Sequence, residues 1–146
     1  MEIKHITHEK KDFLDLLLLA DECEKMIERY LDRGEVFALY DEGLKSICVV
    51  TREGEDLYEI KNLATYPSFQ RRGYARKLIE YVESHCPAGA TLQVGTGDSP
   101  LTIPFYERCG FRYSHRIPGF FTRHYPQPIF EGERQIVDMI YLKKEI

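Results

Sequence analysis

Four basic residues lie close together between Gln70 and Lys77, a segment with no acidic residue in a chain whose net charge is -4. Gly73 lies among them, and a residue without a side chain lets a ligand approach the backbone closely. If a helix begins here, its first N–H groups lack acceptors within the helix and its dipole makes that end positive. Such amides and these cations together predict a pyrophosphate-binding site; the cations are Arg71, Arg72, Arg76 and Lys77. The alternative interpretation is the solvated start of an ordinary helix.

A strand and a helix are predicted on either side of this cluster. Leu57 to Thr65 is rich in Leu, Ile, Tyr and Thr, which is typical of a strand, and Pro67 would end it. Ile60 and Leu63 would face opposite sides of a regular strand, so we expect a bulge near Asn62. After Gly73, apolar residues recur at helical spacing and form one face: Ala75, Leu78, Ile79, Val82 and Cys86.

The remaining pattern predicts further strands and helices around this junction. We expect strands at residues 3–6, 35–40, 44–51, 91–96, 111–117 and 136–143, with residues 91–96 parallel to the strand at 57–65. Two helices are expected between Glu9 and Leu31, separated near Asp21. Another helix would follow Asp98, or would be delayed to about Thr102 by Pro104. The long aromatic connection at 118–135 is a candidate functional loop.

Composition narrows the class of protein. The 146 residues suit one domain, with 43% hydrophobic and 30% charged residues as in an ordinary globular protein. The net negative charge argues against a nucleic-acid or membrane-surface partner. With no apolar leader or membrane span in the sequence, we expect a cytoplasmic protein. The four cysteines show no metal-ligand or disulfide spacing, so no metal is expected. A P-loop and a dinucleotide fold are excluded because the lysine and the additional glycines are missing.

The hexapeptide Gln70-Arg71-Arg72-Gly73-Tyr74-Ala75 resembles the Q/R-x-x-G-x-G/A signature of the GCN5-related N-acetyltransferases (GNAT), although Ala75 replaces the final glycine. Downstream, FYERCGF resembles the Y-x-x-x-G-F segment of that family. Over nearly its full length, the chain is similar to small bacterial N-acetyltransferases. The resemblance implies an α/β (α+β) fold: a mixed, mostly antiparallel sheet of six or seven strands, flanked by helices and splayed at its centre. It also implies acetyl transfer from acetyl-CoA to a primary amine by direct attack in a ternary complex.

Two segments are implied as cofactor-binding. The pyrophosphate would be held by the signature and the arginine after it, that is by Gln70, Arg71, Arg72, Gly73, Tyr74, Ala75 and Arg76. The pantetheine arm would bond like an extra strand to Leu63, Ala64 and Thr65, where a splayed strand leaves N–H and C=O groups unpaired.

Tyr106 and Glu59 are the predicted catalytic residues. The resemblance places Tyr106 beside the cofactor sulfur, where a phenol with a pKa of about 10 suits protonation of a departing thiolate. Glu59 precedes Gln70 by the separation at which some relatives place a base, which acts directly or through a water. The alternatives are a core tyrosine bonded to a backbone carbonyl and a glutamate paired with Lys61 or an arginine. His124, Glu131 and Asp138 are further candidates for the base.

Acidic and aromatic residues are the candidates for binding a cationic acceptor, through charge and cation–π attraction. They are Asp21, Glu22, Phe37, Phe121, His124 and Tyr125. The late aromatic segment could instead be a packing lid or the contact of a homodimer. A small-molecule amine is favoured because no extra substrate-docking domain is present. The alternatives are a protein-amine acetyltransferase and a catalytically silent acetyl-CoA sensor or interaction module.

Overall fold

A seven-stranded mixed sheet organises the structure, a computed structural model that describes residues 1 to 146. Its strands are β1 Glu2–Ile6, β2 Glu35–Tyr40, β3 Leu44–Arg52, β4 Leu57–Thr65, β5 Thr91–Gly97, β6 Arg112–Ile117 and β9 Met139–Glu145. Two further strands, β7 Ile129–Glu131 and β8 Arg134–Ile136, form a separate hairpin. The α-helices are α1 Leu14–Leu17, α2 Glu24–Glu28, α3 Tyr74–His85, α4 Ile103–Arg108 and α5 Phe120–His124, with 3-10 turns at Lys10–Phe13 and Pro67–Phe69.

The predicted fold class is confirmed. The strand order is β1-β2-β3-β4-β5-β9-β6, and every neighbouring pair is antiparallel except β4 and β5. The β4–β5 pair is parallel, as predicted, because α3 crosses over between the two strands.

The sheet opens between β4 and β5. Their pairing runs only from Leu57–Thr91 to Ile60–Val94, after which the strands diverge. The expected bulge is present: β3 pairs Val49 with Asn62 and then Val50 with Ile60, which leaves Lys61 as the extra residue. Ile60 and Leu63 consequently pack against the same hydrophobic cluster.

Both faces of the sheet are covered. One cluster joins Phe37, Leu39 and Cys48 of β2 and β3 to the apolar face of α3. The other joins Val36, Ile47 and Val49 to the residues of α1 and α2. Neighbouring positions of β2 and β3 are therefore buried on opposite faces, and this explains why their sequences read as continuous apolar runs.

Two predictions are corrected by the structure, that of the connection at 118–135 and that of the last strand. The connection at 118–135 is not a plain loop: it contains α5 and the β7–β8 hairpin, whose turn glycine has a φ of 63°. Ile136 pairs with Ile129 in that hairpin, so the last strand of the main sheet begins at Met139 instead. The delayed helix is confirmed, since α4 begins directly after Thr102. No helix has the length and apolarity that crossing a bilayer requires.

Candidate active site

The turn before α3 exposes a row of backbone donors. Arg71 and Gly73 both adopt left-handed conformations, with φ of 64° and 84°. Lys77 is the first residue whose N–H finds a helical acceptor, the carbonyl of Gly73, and residues 71 to 76 donate no backbone hydrogen bond. A concavity of successive free N–H groups at a helix N-terminus is an anion-binding arrangement.

The basic side chains of this turn lie at the surface beside those amides. The Arg72 guanidinium lies 5.5 Å from the centre of the Phe69 ring. Arg76 contacts Glu80 at 3.5 Å, and both side chains are more than half exposed. A pair so exposed is weak and would readily be exchanged for a phosphate.

Two other residues of the signature hold the turn in place. The Tyr74 hydroxyl donates to Asp41 at 2.7 Å and ties the start of α3 to the β2–β3 turn. The Gln70 amide donates to the Thr65 carbonyl at 3.3 Å and ties the turn to the end of β4. Tyr74 therefore offers a ligand its backbone N–H, since its side chain is buried and engaged.

The open edge of β4 faces a cavity of about 410 Å³ that lies between the diverging strands. The Tyr66 N–H bonds to the Lys45 carbonyl, on the side of β3. Backbone groups of successive strand residues point to alternate neighbours, so Ala64 also faces β3. Leu63 then presents its N–H and C=O groups to the opening and Thr65 presents its N–H, while the Thr65 carbonyl is held by Gln70; an amide-rich chain could bond to the free groups.

Glu59 lies at this cavity, almost completely buried. Its carboxylate accepts a hydrogen bond from Gln93 at 2.6 Å and a longer one from Tyr141 at 3.4 Å. Lys61, the bulge residue, pairs with the same carboxylate at 2.8 Å. The pairing of Glu59 with Lys61, which was the alternative to a catalytic role, is therefore present. The carboxylate nonetheless lines the cavity.

Tyr106 lines the same cavity from α4 and is 7% exposed. Its ring packs edge-on against Phe105 and Phe111, at centroid distances of 5.1 and 5.7 Å. Burial raises the pKa of its phenol well above the ordinary value of 10.0, and no hydrogen bond within the chain contributes to this shift. The phenol therefore keeps its proton at neutral pH, and it is not bonded to a backbone carbonyl as a purely structural tyrosine would be.

Asp21 forms part of another wall, where it joins the early and late parts of the chain. Its carboxylate accepts hydrogen bonds from the hydroxyls of Tyr30 at 3.0 Å and Tyr125 at 2.9 Å. Burial raises the pKa of both phenols, and the neighbouring negative charge of Asp21 raises them further. Phe121 of α5 completes this wall beside Tyr125, with 5.3 Å between their ring centres.

Three predicted acceptor residues lie outside the cavity, which corrects that part of the prediction. Glu22 is exposed. Phe37 is a core residue whose ring stacks on His5 at 5.0 Å. His124 lies on the outer side of α5 against Phe120. These three residues were predicted from their acidic or aromatic type, but tertiary packing determines where each side chain points.

The two acidic runners-up for the base differ in position. Glu131 lines the cavity, and its carboxylate accepts a hydrogen bond from the Ser99 hydroxyl. Asp138 accepts the Gly119 N–H at 2.9 Å and pairs with Arg116 at 3.5 Å, so it supports the start of α5.

The homodimer contact proposed for the late aromatic segment stays a prediction. The aromatic rings of α5 face the cavity of the same chain.

Sequence reasoning did not single out Asn62, Tyr30 or Tyr141 as part of this site. Asn62 could have been noticed as an amide at the predicted bulge of an otherwise apolar strand. Tyr30 and Tyr141 gave no signal, because each resembles any half-buried tyrosine of an amphipathic element.

Comparison with known proteins gives matches at the levels of domain, sequence and structure. The sequence model of the acetyltransferase (GNAT) domain matches residues 32–113. The chain is 35% identical over 135 residues to an uncharacterized N-acetyltransferase of Bacillus subtilis (strain 168), YvbK, covering 90% of this chain and 87% of the relative. A Bacillus subtilis acetyltransferase in complex with CoA is 31% identical with a TM-score of 0.87, over 99% of this chain and 98% of the other. A GNAT family acetyltransferase from Elizabethkingia anophelis with acetyl-CoA bound is 31% identical with a TM-score of 0.89, over 99% and 97%.

Proposed function

The chain belongs to the GCN5-related N-acetyltransferase family and is an N-acetyltransferase that uses acetyl-CoA, and on that premise we propose that it acetylates a primary amine of a small molecule by direct attack in a ternary complex. The observation that carries the proposal is the cavity at the opening of the sheet, which Glu59 and Tyr106 both line. A carboxylate and a protonated phenol in one cavity are the two proton-transfer groups that the reaction needs.

The residues present fit a CoA thioester. The free amides of residues 71 to 76 and the arginines beside them suit its pyrophosphate. The backbone groups of Leu63 and Thr65 suit its amide-containing arm, which would bond to the open edge of β4. Ala64 would contribute less, because its backbone faces β3. When bound, acetyl-CoA supplies the acetyl group as a thioester.

Glu59 is proposed to accept the proton of the acceptor ammonium, directly or through a water, so that the neutral amine can attack. Its bonds to Gln93 and Lys61 hold the carboxylate in one orientation. Tyr106 is proposed to donate its proton to the sulfur that leaves. Because burial raises its pKa, the phenol carries its proton at neutral pH, and the same shift makes it a weaker acid towards the thiolate than a free phenol.

The shape of the cavity supports a small acceptor. Its walls come from the early helical segment, the two diverging strands and α5, so the acceptor end is bounded on several sides. A volume of about 410 Å³ lies in the range of small-molecule sites. The use of acetyl-CoA and the four free thiols support a cytoplasmic location for the proposed reaction.

Replacing Tyr106 by Phe tests the proposal. The expected result is a loss in kcat of about 100-fold or more, measured as CoA-thiol release in a screen of small amines and peptides, with unchanged CoA affinity by calorimetry. Phenylalanine keeps the ring contacts, and the Tyr106 hydroxyl has no hydrogen-bond partner in the chain to lose, so the melting temperature should be unchanged. Tyr113→Phe is the matched control, because Tyr113 is exposed and does not line the cavity.

Two results would contradict the proposal in different ways. If Tyr106→Phe turns over as fast as the unmodified protein, Tyr106 is not the acid. If no amine releases thiol although acetyl-CoA binds, the chain is a sensor of the same fold rather than an enzyme acting on small amines. Release with peptides alone would indicate a protein-amine acceptor.

A further inference from the structure

The acceptor cavity carries more negative charge than one ammonium requires. Four of its lining residues are charged: Asp21, Glu59, Lys61 and Glu131. The Lys61 ammonium lies 2.8 Å from the Glu59 carboxylate and balances its charge. Asp21 and Glu131 receive only uncharged donors: Asp21 accepts two tyrosine hydroxyls and the Cys23 N–H, and Glu131 accepts the Ser99 hydroxyl. Arg134 lies opposite Glu131 in the β7–β8 hairpin but pairs with Asp98 instead. Uncharged donors leave a carboxylate its full charge, so two negative charges in this cavity form no salt bridge.

A separate observation concerns Asn62, a buried residue of the cavity wall with an unused acceptor. Asn62 is 3% exposed and lines the cavity. Its Nδ2 donates to the Leu17 carbonyl at 3.0 Å and to the Tyr30 hydroxyl at 3.2 Å. Because the Leu17 carbonyl can only accept, the orientation of the amide is fixed, and its Oδ1 has no donor. A buried acceptor without a donor is costly, and a ligand with N–H groups would satisfy it.

Asn62 and Asp21 belong to one hydrogen-bonded group. The Tyr30 hydroxyl accepts from Nδ2 of Asn62 and donates to Asp21, so the two side chains are joined through a single phenol. An ammonium has three donors and no acceptor, which matches a carboxylate and an amide oxygen. Phe121 and Tyr125 supply aromatic faces next to them, which suit both a methylene chain and a cation.

Resting on the proposed function, we propose that the acceptor is an aliphatic diamine or polyamine whose second ammonium is bound by Asp21 and by Oδ1 of Asn62. The reacting amine then lies at Glu59, and the methylene chain crosses the aromatic wall. A dication balances the two unpaired carboxylates, which a monoamine leaves with a net negative charge. An acceptor with a carboxylate would be repelled by the same groups.

Calorimetric titration of the CoA-saturated protein with three ligands of similar length tests this proposal without requiring turnover. They are cadaverine, hexylamine, in which a methyl group replaces the second ammonium, and aminohexanoate, in which a carboxylate replaces it. We expect cadaverine to bind about 10-fold or more tightly than hexylamine, as for a hydrogen bond to a charged group. Aminohexanoate should bind weakest. Equal affinity for cadaverine and hexylamine would overturn the proposal.

Asp21→Asn locates the effect. Asparagine keeps the size of the side chain and an oxygen for a tyrosine hydroxyl, but it removes the charge. The variant should then bind cadaverine and hexylamine with nearly equal affinity. Asp15→Asn is the control, because Asp15 is exposed on α1 and its loss changes the total charge equally. If Asp21→Asn keeps the preference, the second ammonium is not bound at Asp21 and the assignment is wrong.

An assay of CoA-thiol release, run with the same protein and amines but with acetyl-CoA in place of CoA, separates this inference from the proposed function. If cadaverine and hexylamine bind with equal affinity and both release thiol, the proposed function stands and the proposal of a dicationic acceptor is wrong. Preferential binding of cadaverine without release supports the dication site and contradicts acetyl transfer to it.

Discussion

Gly73→Ala separates the cost of a strained turn from the loss of a ligand site. Gly73 has a φ of 84°, and a Cβ added there would meet nothing within 4 Å. The cost to stability is therefore conformational, about 1–2 kcal/mol for an alanine in the left-handed region. In a chain of this size that lowers the melting temperature by roughly 2–8 °C.

The chain contains a closely matched control for this substitution. Gly89, in the turn between α3 and β5, has a φ of 91°, and a Cβ there also meets nothing within 4 Å. Gly89→Ala should destabilise the protein by the same amount. It lies at the opposite end of α3 from the free amides, so it should leave CoA binding unchanged.

The two variants should differ in affinity for CoA. A Cβ at Gly73 hinders the approach of a phosphate to the amides of residues 71 to 76. Loss of one charge-assisted hydrogen bond weakens binding by about 10- to 100-fold. Calorimetric titration with CoA and thermal melts of both variants measure the two effects independently. If Gly73→Ala binds CoA as tightly as Gly89→Ala, the turn before α3 does not hold the pyrophosphate and the proposed cofactor site is wrong.

Two further predictions concern proton transfer and alkaline stability. Glu59→Gln should lower kcat by about 100-fold with unchanged CoA affinity, because the amide can still accept a hydrogen bond from Gln93 but cannot take a proton. Normal turnover would exclude Glu59 as the base. The control is Glu55→Gln, because Glu55 is exposed. Burial raises the pKa of several tyrosines above the unfolded value of 10.0, so the stability that they contribute is complete below about pH 10 and is lost as the pH rises towards their folded values. The melting temperature should therefore fall above about pH 10, and part of the tyrosinate absorbance should appear only when the protein unfolds. Complete tyrosine ionisation in the folded protein would contradict this. The residues expected to ionise only on unfolding are Tyr30, Tyr106, Tyr125 and Tyr141.

The strand, turn and helix around Gly73 were predictable because their signals are local. The apolar face of α3 repeats at the helical period within twelve residues. The bulge of β4 followed from the odd spacing of Ile60 and Leu63, which only a local irregularity can place on one face. The mixed, mostly antiparallel sheet was implied by the family resemblance, and the order of its strands was not predicted, because periodicity carries no information about neighbours.

The acceptor end of the cavity was decided by tertiary structure. Asp21 meets Tyr125 across 104 residues, and Glu59 meets Tyr141 across 82. Phe37 and Phe121 are both aromatic, yet packing turned the first into the core and the second towards the cavity. The sequence by itself determined the strand, turn and helix of the junction that we propose as the cofactor site, since their signals lie in neighbouring residues. Only the folded sheet decided which carboxylates and phenols share the cavity, because long-range strand pairing and burial fix where each side chain points.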